Sequence, residues 1–131
     1  MGLIEKRLIK KGQEEWIPEA NKELQEVTKG SQVYEVDWST FETDEGALKN
    51  LQNQGLHRIT AAFRVVCIDD LGKEAVQEQV KKVIVKNTEK PADKSVTVKD
   101  GTAIVVGAWG KGSEGYFTDR DIQLAIEKQL Q

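Results

Sequence analysis

The sequence predicts an α+β fold, with an antiparallel sheet of about four strands and four or five helices packed mainly on one of its faces. Three observations support this prediction. Apolar residues recur at spacings of three and four in several segments, which indicates amphipathic helices. Short segments rich in β-branched residues alternate with polar ones, which indicates strands. Asp100-Gly101 separates two of these strands and is a strong hairpin signal, because a type I′ turn needs positive φ at both positions.

Helices are predicted at several places along the chain. The first covers 13–29, because its apolar residues lie at helical spacing. A second helix begins near Thr43 or Asp44, either of which can cap it, and runs to about residue 54. The last helix covers 118–130, and Thr118 is suited to be its N-cap.

Residues 59–68 form the most apolar window of the chain. Burial of apolar area contributes about 25 cal/mol per Å², so this window belongs in the core and other segments must cover it. Its periodicity fits both a helix and a strand. The length of 56–69 and the pair Ala61-Ala62 favour a helix, with a strand as the alternative. The pair Asp69-Asp70 then fits the cap of a further amphipathic helix.

Four segments are predicted to be strands, and the late ones form a hairpin or meander in the C-terminal half. The connections between the late strands are too short for helical crossovers, which favours antiparallel pairing. In the first strand, alternation predicts that Tyr34, Val36 and Trp38 point inward. The four segments are 33–38, 83–85, 95–99 and 102–109.

Length and composition narrow the classes of protein that the chain can belong to. The 131 residues predict a single domain, 1–131. A lone cysteine excludes an internal disulfide and, with no secretory signal, predicts a cytoplasmic protein. No apolar run approaches the roughly 18 residues of a membrane span. The net charge of −3 argues against nucleic-acid binding, which requires a basic face.

No set of residues with catalytic spacing is found. Residues 110–115 match G-x-G-x-x-G, but the chain lacks the second strand and the later acidic residue that a dinucleotide site needs. His57 and Cys67 would lie about 15 Å apart along a helix or about 33 Å apart along a strand, too far for a dyad. One histidine and one cysteine are also too few for zinc. No cofactor or metal is expected, and the sequence leans against an enzyme.

Six residues are candidate contacts with a partner. Four aromatic or basic side chains bracket the glycines of 110–115, and flexible glycines beside such side chains favour a contact surface. Two lysines in the basic start of the chain are suited to an acidic partner. The alternative for the aromatic residues is burial in the core. The six are Trp109, Lys111, Tyr116, Phe117, Lys10 and Lys11.

These observations predict a small cytoplasmic protein that is not an enzyme and that acts as an interaction or accessory protein by binding another protein. The alternative is a small-molecule-binding protein or a modest enzyme, with a site of scattered carboxylates between the sheet and the helices. An exposed strand of the hairpin, or the strand at 33–38, could also pair across a homodimer.

Overall fold

The structure, a computed structural model, describes residues 2–131, apart from the side chain of Ser113. Within these residues it has four helices and one four-stranded sheet, so the α+β prediction is confirmed. Helix α1 comprises Leu3–Lys11, a π-helical turn Gly12–Trp16 and Ile17–Thr28; α2 comprises Glu45–Asn50, a π-helical turn Leu51–Gly55 and Leu56–Val66; α3 is Asp70–Gln79 and α4 is Asp119–Gln129. The strands are β1 Val33–Val36, β2 Lys82–Asn87, β3 Ser95–Lys99 and β4 Thr102–Gly107. Short 3₁₀ turns cover Trp38–Thr40, Pro91–Asp93 and Trp109–Glu114.

Helix α1 begins at Leu3, ten residues before its predicted start at Gln13. The basic start of the chain is helical because Ile9 is buried in the core and the segment packs against the beginning of α2. Its π-helical turn begins at Gly12. A Cβ there would lie 2.5 Å from Cη2 of Trp38, so the missing side chain makes room for that indole ring.

Helix α2 joins the predicted helix 44–54 to the segment 56–69. Asp44 caps it as predicted, since its Oδ1 accepts a hydrogen bond from the Ala47 amide at 2.9 Å. Gly55 does not stop the helix, because its backbone is right-handed helical (φ −58°, ψ −54°) and continues through the π-helical turn. The predicted helix over most of 56–69 is confirmed, and the strand alternative is wrong.

The sheet is mixed, with strand order β1-β2-β4-β3, so the prediction of an antiparallel sheet is wrong. β1 pairs with β2 in parallel, and β2 pairs with β4 in parallel. Helices α2 and α3 supply the crossover between β1 and β2. Between β2 and β4 the chain returns to the start of the sheet through β3, which runs antiparallel along the sheet edge. This parallel pair therefore needs no helical crossover. The β3–β4 hairpin is confirmed, with Asp100 and Gly101 at φ 52° and 78°.

One face of the sheet is buried under the helices. β1, β2 and β4 alternate strictly, and their buried residues share one core with residues of α1, α2 and α4 such as Leu24, Phe63 and Ile122. Tyr34 and Val36 point inward as predicted. Trp38 lies beyond the end of β1 at Val36, half-buried in the 3₁₀ turn that follows, where it still packs against the core. None of the helices described is long and apolar enough to cross a membrane.

Candidate functional site

The most exposed large aliphatic side chains of the described residues lie together where α2 meets α3. Ile68 is 79% exposed and Leu71 is 80% exposed, and Val65 beside them is also exposed. We call Val65, Ile68 and Leu71 the apolar corner. Single exposed aliphatic residues are ordinary, but neighbouring ones that line the same cleft are typical of an interaction site.

The apolar corner is exposed because α3 begins almost directly after α2 ends. The Asp69 carboxylate caps α3 by accepting a hydrogen bond from the Gly72 amide at 2.8 Å, which confirms the predicted cap. A Cβ on Gly72 would lie only 1.8 Å from the carbonyl oxygen of Val66. Gly72 therefore lets the start of α3 sit against the end of α2. The connection between them is so short that Ile68 and Leu71 project outward, with little of either covered by other parts of the fold.

A cleft of about 300 Å³ adjoins the apolar corner and reaches the end of α4. Its apolar lining comes from the corner and from residues of α2, α3 and the chain after α4: Val66, Ala75 and Leu130. The acidic residues Asp69 and Glu127 also line it. No lysine or arginine does so in the part of the chain that the structure describes. The cleft is therefore mixed, with an apolar part next to an acidic wall formed by Asp69 and Glu127.

The cysteine next to the corner does not have the properties of a nucleophile. Burial raises the pKa of the Cys67 thiol to about 11, while Lys73 opposes this rise and Asp69 adds to it. At neutral pH the thiol is protonated, and the thiolate is the reactive form. His57 lies ten residues earlier on the same helix, about 15 Å away along its axis. Among the described residues, no group of three or more metal-ligating side chains comes together.

Two of the aromatic residues predicted to contact a partner are buried. Trp109 and Tyr116 stack on each other with ring centroids 4.9 Å apart. The Trp109 Nε1–H donates to the carbonyl oxygen of Lys86 at 2.9 Å, and its backbone N–H donates to Oδ1 of Asn87 at 3.0 Å. Asn50 donates to the Trp109 carbonyl oxygen. The polar groups of Trp109 are thus bound within the protein, and the ring offers no exposed area in this conformation.

The other four predicted contacts retain exposed surface. Lys10, Lys11 and Lys111 are exposed, and Phe117 is half-buried with the Nζ of Lys94 4.9 Å from its ring centroid. The segments Leu3–Lys11 and Trp109–Glu114 both pack against the first segment of α2. The basic start and the glycine-rich turn therefore flank one end of α2.

The apolar corner lies at the other end of α2, roughly 30 Å away at 1.5 Å of rise per residue. It is therefore a separate surface from the one that the six predicted contacts outline. That those six residues contact a partner stays a prediction.

No protein family, curated protein or solved structure matches this chain. The candidate site therefore rests on geometry and chemistry alone.

The sequence pattern does not reveal the apolar corner. Ile68 closes the most apolar window of the chain, and that position suggests burial. The one local signal is the pair Asp69-Asp70 followed by Gly72, which indicates that a helix starts there. A helix that starts this soon after Val66 leaves the residues of the turn on the outside.

Proposed function

We propose that this protein is an interaction module that binds another protein through the apolar corner and the adjoining cleft. The observation that supports the proposal is the nearly complete exposure of Ile68 and Leu71. Full burial of an aliphatic side chain of this size contributes about 1.5–3 kcal/mol. Covering both on binding favours association, and this gain must exceed the entropy that association costs.

The acidic wall of the cleft indicates what kind of segment the partner contributes. Asp69 and Glu127 favour a segment whose apolar side chains stand next to lysine or arginine. A cleft of about 300 Å³ is large enough for one bulky apolar side chain of that segment to enter. The same carboxylates disfavour an anionic membrane surface, which attracts basic residues. The proposal keeps the cytoplasmic setting expected from the single cysteine.

The test is affinity capture with three forms of the protein. The first is the wild type, and the second carries Ile68→Ser and Leu71→Ser. The control carries Leu3→Ser and Ile4→Ser, which removes two other exposed aliphatic side chains at the start of α1, remote from the corner. We expect that one protein is captured by the wild type and by the control. The form with Ile68→Ser and Leu71→Ser, the corner variant, should not capture it. If the captured protein is a second copy of this chain, the corner forms a homodimer and does not bind a different protein.

The captured partner is then purified and its Kd is measured with each form. A residue at the centre of an interface can contribute more than about 1 kcal/mol, so the corner variant, which loses two such residues, should bind about 30-fold more weakly or worse. The control variant should match the wild type. If all three forms capture the same proteins, and the purified partner binds them with the same Kd, the apolar corner is not the binding surface.

A further inference from the structure

The sheet has two edge strands, β1 and β3, and an edge strand presents backbone N–H and C=O groups that can pair with another chain. In β3 the Asp100-Gly101 turn makes Lys99 and Thr102 a hydrogen-bonded pair. Because such pairs alternate along antiparallel strands, Val96 and Val98 direct their backbone groups away from β4. These groups are the ones that an added strand would bind.

The side chain of Gln129, the last residue of α4, occupies this edge. Its Oε1 accepts a hydrogen bond from the Val98 N–H at 2.8 Å, and its Nε2 donates to the Val96 carbonyl oxygen at 2.9 Å. Nε2 also donates to the Ala125 carbonyl oxygen at 2.9 Å, which fixes the orientation of the amide. A neighbouring strand would supply the same acceptor and the same donor to β3. The primary amide of Gln129 therefore stands in for part of a strand.

The other edge of the sheet is also bound by a side-chain amide. The Tyr34 N–H of β1 donates to Oδ1 of Asn21, a residue of α1, at 2.7 Å. Gln129 is the more complete substitute, because it supplies a donor as well as an acceptor. At both edges a helix thus places an amide on backbone groups that would otherwise be available to another chain, and covering an edge in this way is how proteins avoid unwanted strand pairing.

The β3 edge is self-complementary apart from this cover. Two copies of β3 related by a two-fold axis at Thr97 run antiparallel, and Val96 of one copy then stands opposite Val98 of the other. Their N–H and C=O groups can exchange hydrogen bonds in both directions, and directly opposed β-branched side chains stabilise such a pair. Lys99 stands opposite Ser95 in this register, so no like charges meet. A second copy of this chain therefore fits the edge.

We infer that Gln129 closes the β3 edge to a second copy of this chain and so prevents the sheet from extending across a dimer. The half-buried Gln129 is in the last turn of α4, so withdrawal of that turn alone uncovers the edge. Neither Gln129 nor β3 lines the cleft beside the apolar corner, so the inference does not depend on the proposed protein partner.

Sedimentation velocity over a wide range of protein concentration compares the wild type with Gln129→Ala. We expect the mass of the wild type to stay constant and that of Gln129→Ala to rise towards twice this value as the concentration increases. The control is Gln123→Ala, which removes the same kind of amide from α4 at a position where it bonds the Glu127 carboxylate and not β3. The control should behave as the wild type does.

A double variant, Gln129→Ala with Val98→Pro, tests whether the association is strand pairing. Proline at position 98 removes an N–H that points away from β4, so it blocks an added strand and is tolerated at an edge. It should restore the mass of the wild type. In dilute Gln129→Ala, the Val98 amide should exchange its hydrogen about 10-fold faster than in the wild type, because it has lost its acceptor.

Gln129→Asn decides the question if Gln129→Ala does not fold. Its amide is one methylene shorter and cannot keep both bonds to β3, so this variant should also associate. Three results would overturn the inference: a constant mass for the folded Gln129 variants, association that survives Val98→Pro, or a wild-type dimer that Val98→Pro dissociates.

Discussion

The turn Trp109–Glu114 and the apolar corner lie at opposite ends of α2. The large side chain at the turn is buried, whereas those at the corner are exposed. At the turn, Trp109 is enclosed by Tyr116 and by polar groups from β2 and α2. At the corner, Ile68 in the connection and Leu71 in the first turn of α3 are left largely exposed by the rest of the described residues. The difference shows that the surroundings of a large side chain, more than its chemical type, determine whether it stabilises the fold or is available to a partner.

The largest effect is expected for Trp109→Ala. The change removes a fully buried indole and its stacking on Tyr116, so the free energy of unfolding should fall by about 3–5 kcal/mol. Urea unfolding followed by circular dichroism measures it. The comparison variant is Phe117→Ala, which truncates a half-buried ring nearby and should cost much less. Equal, small losses for both would mean that Trp109 is not part of the core.

Asn87→Ala should cost about 1–3 kcal/mol of unfolding free energy. Its Oδ1 accepts the Trp109 backbone N–H, and its Nδ2 donates to the carbonyl oxygen of Thr40 at 3.1 Å. Removal leaves one buried and one partly buried backbone group without this partner. Hydrogen exchange of the Trp109 amide should accelerate strongly. An unchanged exchange rate at this amide would show that Asn87 does not hold the turn.

Gly72→Ala tests how the corner is built. The added methyl group would lie 1.8 Å from the Val66 carbonyl oxygen, so α3 must move, at a cost of about 1–3 kcal/mol. Gly46→Ala is the matched control, since its Cβ would meet only the Asp44 carboxylate, at 3.6 Å. The control should be neutral or stabilising by about 0.4–1 kcal/mol. If the two variants unfold at the same urea concentration, the close contact between α2 and α3 is not what shapes the corner.

The smallest effect on stability is expected for Ile68→Ser combined with Leu71→Ser. Because both side chains are largely in solvent, the free energy of unfolding should change by no more than about 0.5 kcal/mol. The same double variant should lose partner binding. A large loss of stability would place these side chains in the core and remove the contrast with Trp109.

The local features of the fold follow from the sequence, whereas the long-range ones do not. The Asp44 and Thr118 caps, the Asp100-Gly101 turn and the inward Tyr34 are determined by neighbouring residues, and all were predicted. The parallel pairing of β2 with β4 depends on β3 occupying the sheet edge, which periodicity does not encode.

The candidate sites depend in the same way on contacts between distant segments. The buried Trp109 donates its backbone N–H to Asn87, 22 residues earlier, and its carbonyl oxygen accepts from Asn50. The apolar corner is exposed because of the close contact between Gly72 and the end of α2. A sequence pattern read in local windows contains none of these contacts.

Site-specific photo-crosslinking in cells tests the central claim, that the apolar corner is the surface which contacts a partner. Leu71 is replaced by p-benzoyl-phenylalanine in one form of the protein and Leu3 in another, because both positions are exposed and only the first lies at the corner. We predict a discrete crosslinked protein at position 71 and none at position 3. No crosslink at position 71, or the same products at both positions, would contradict the account.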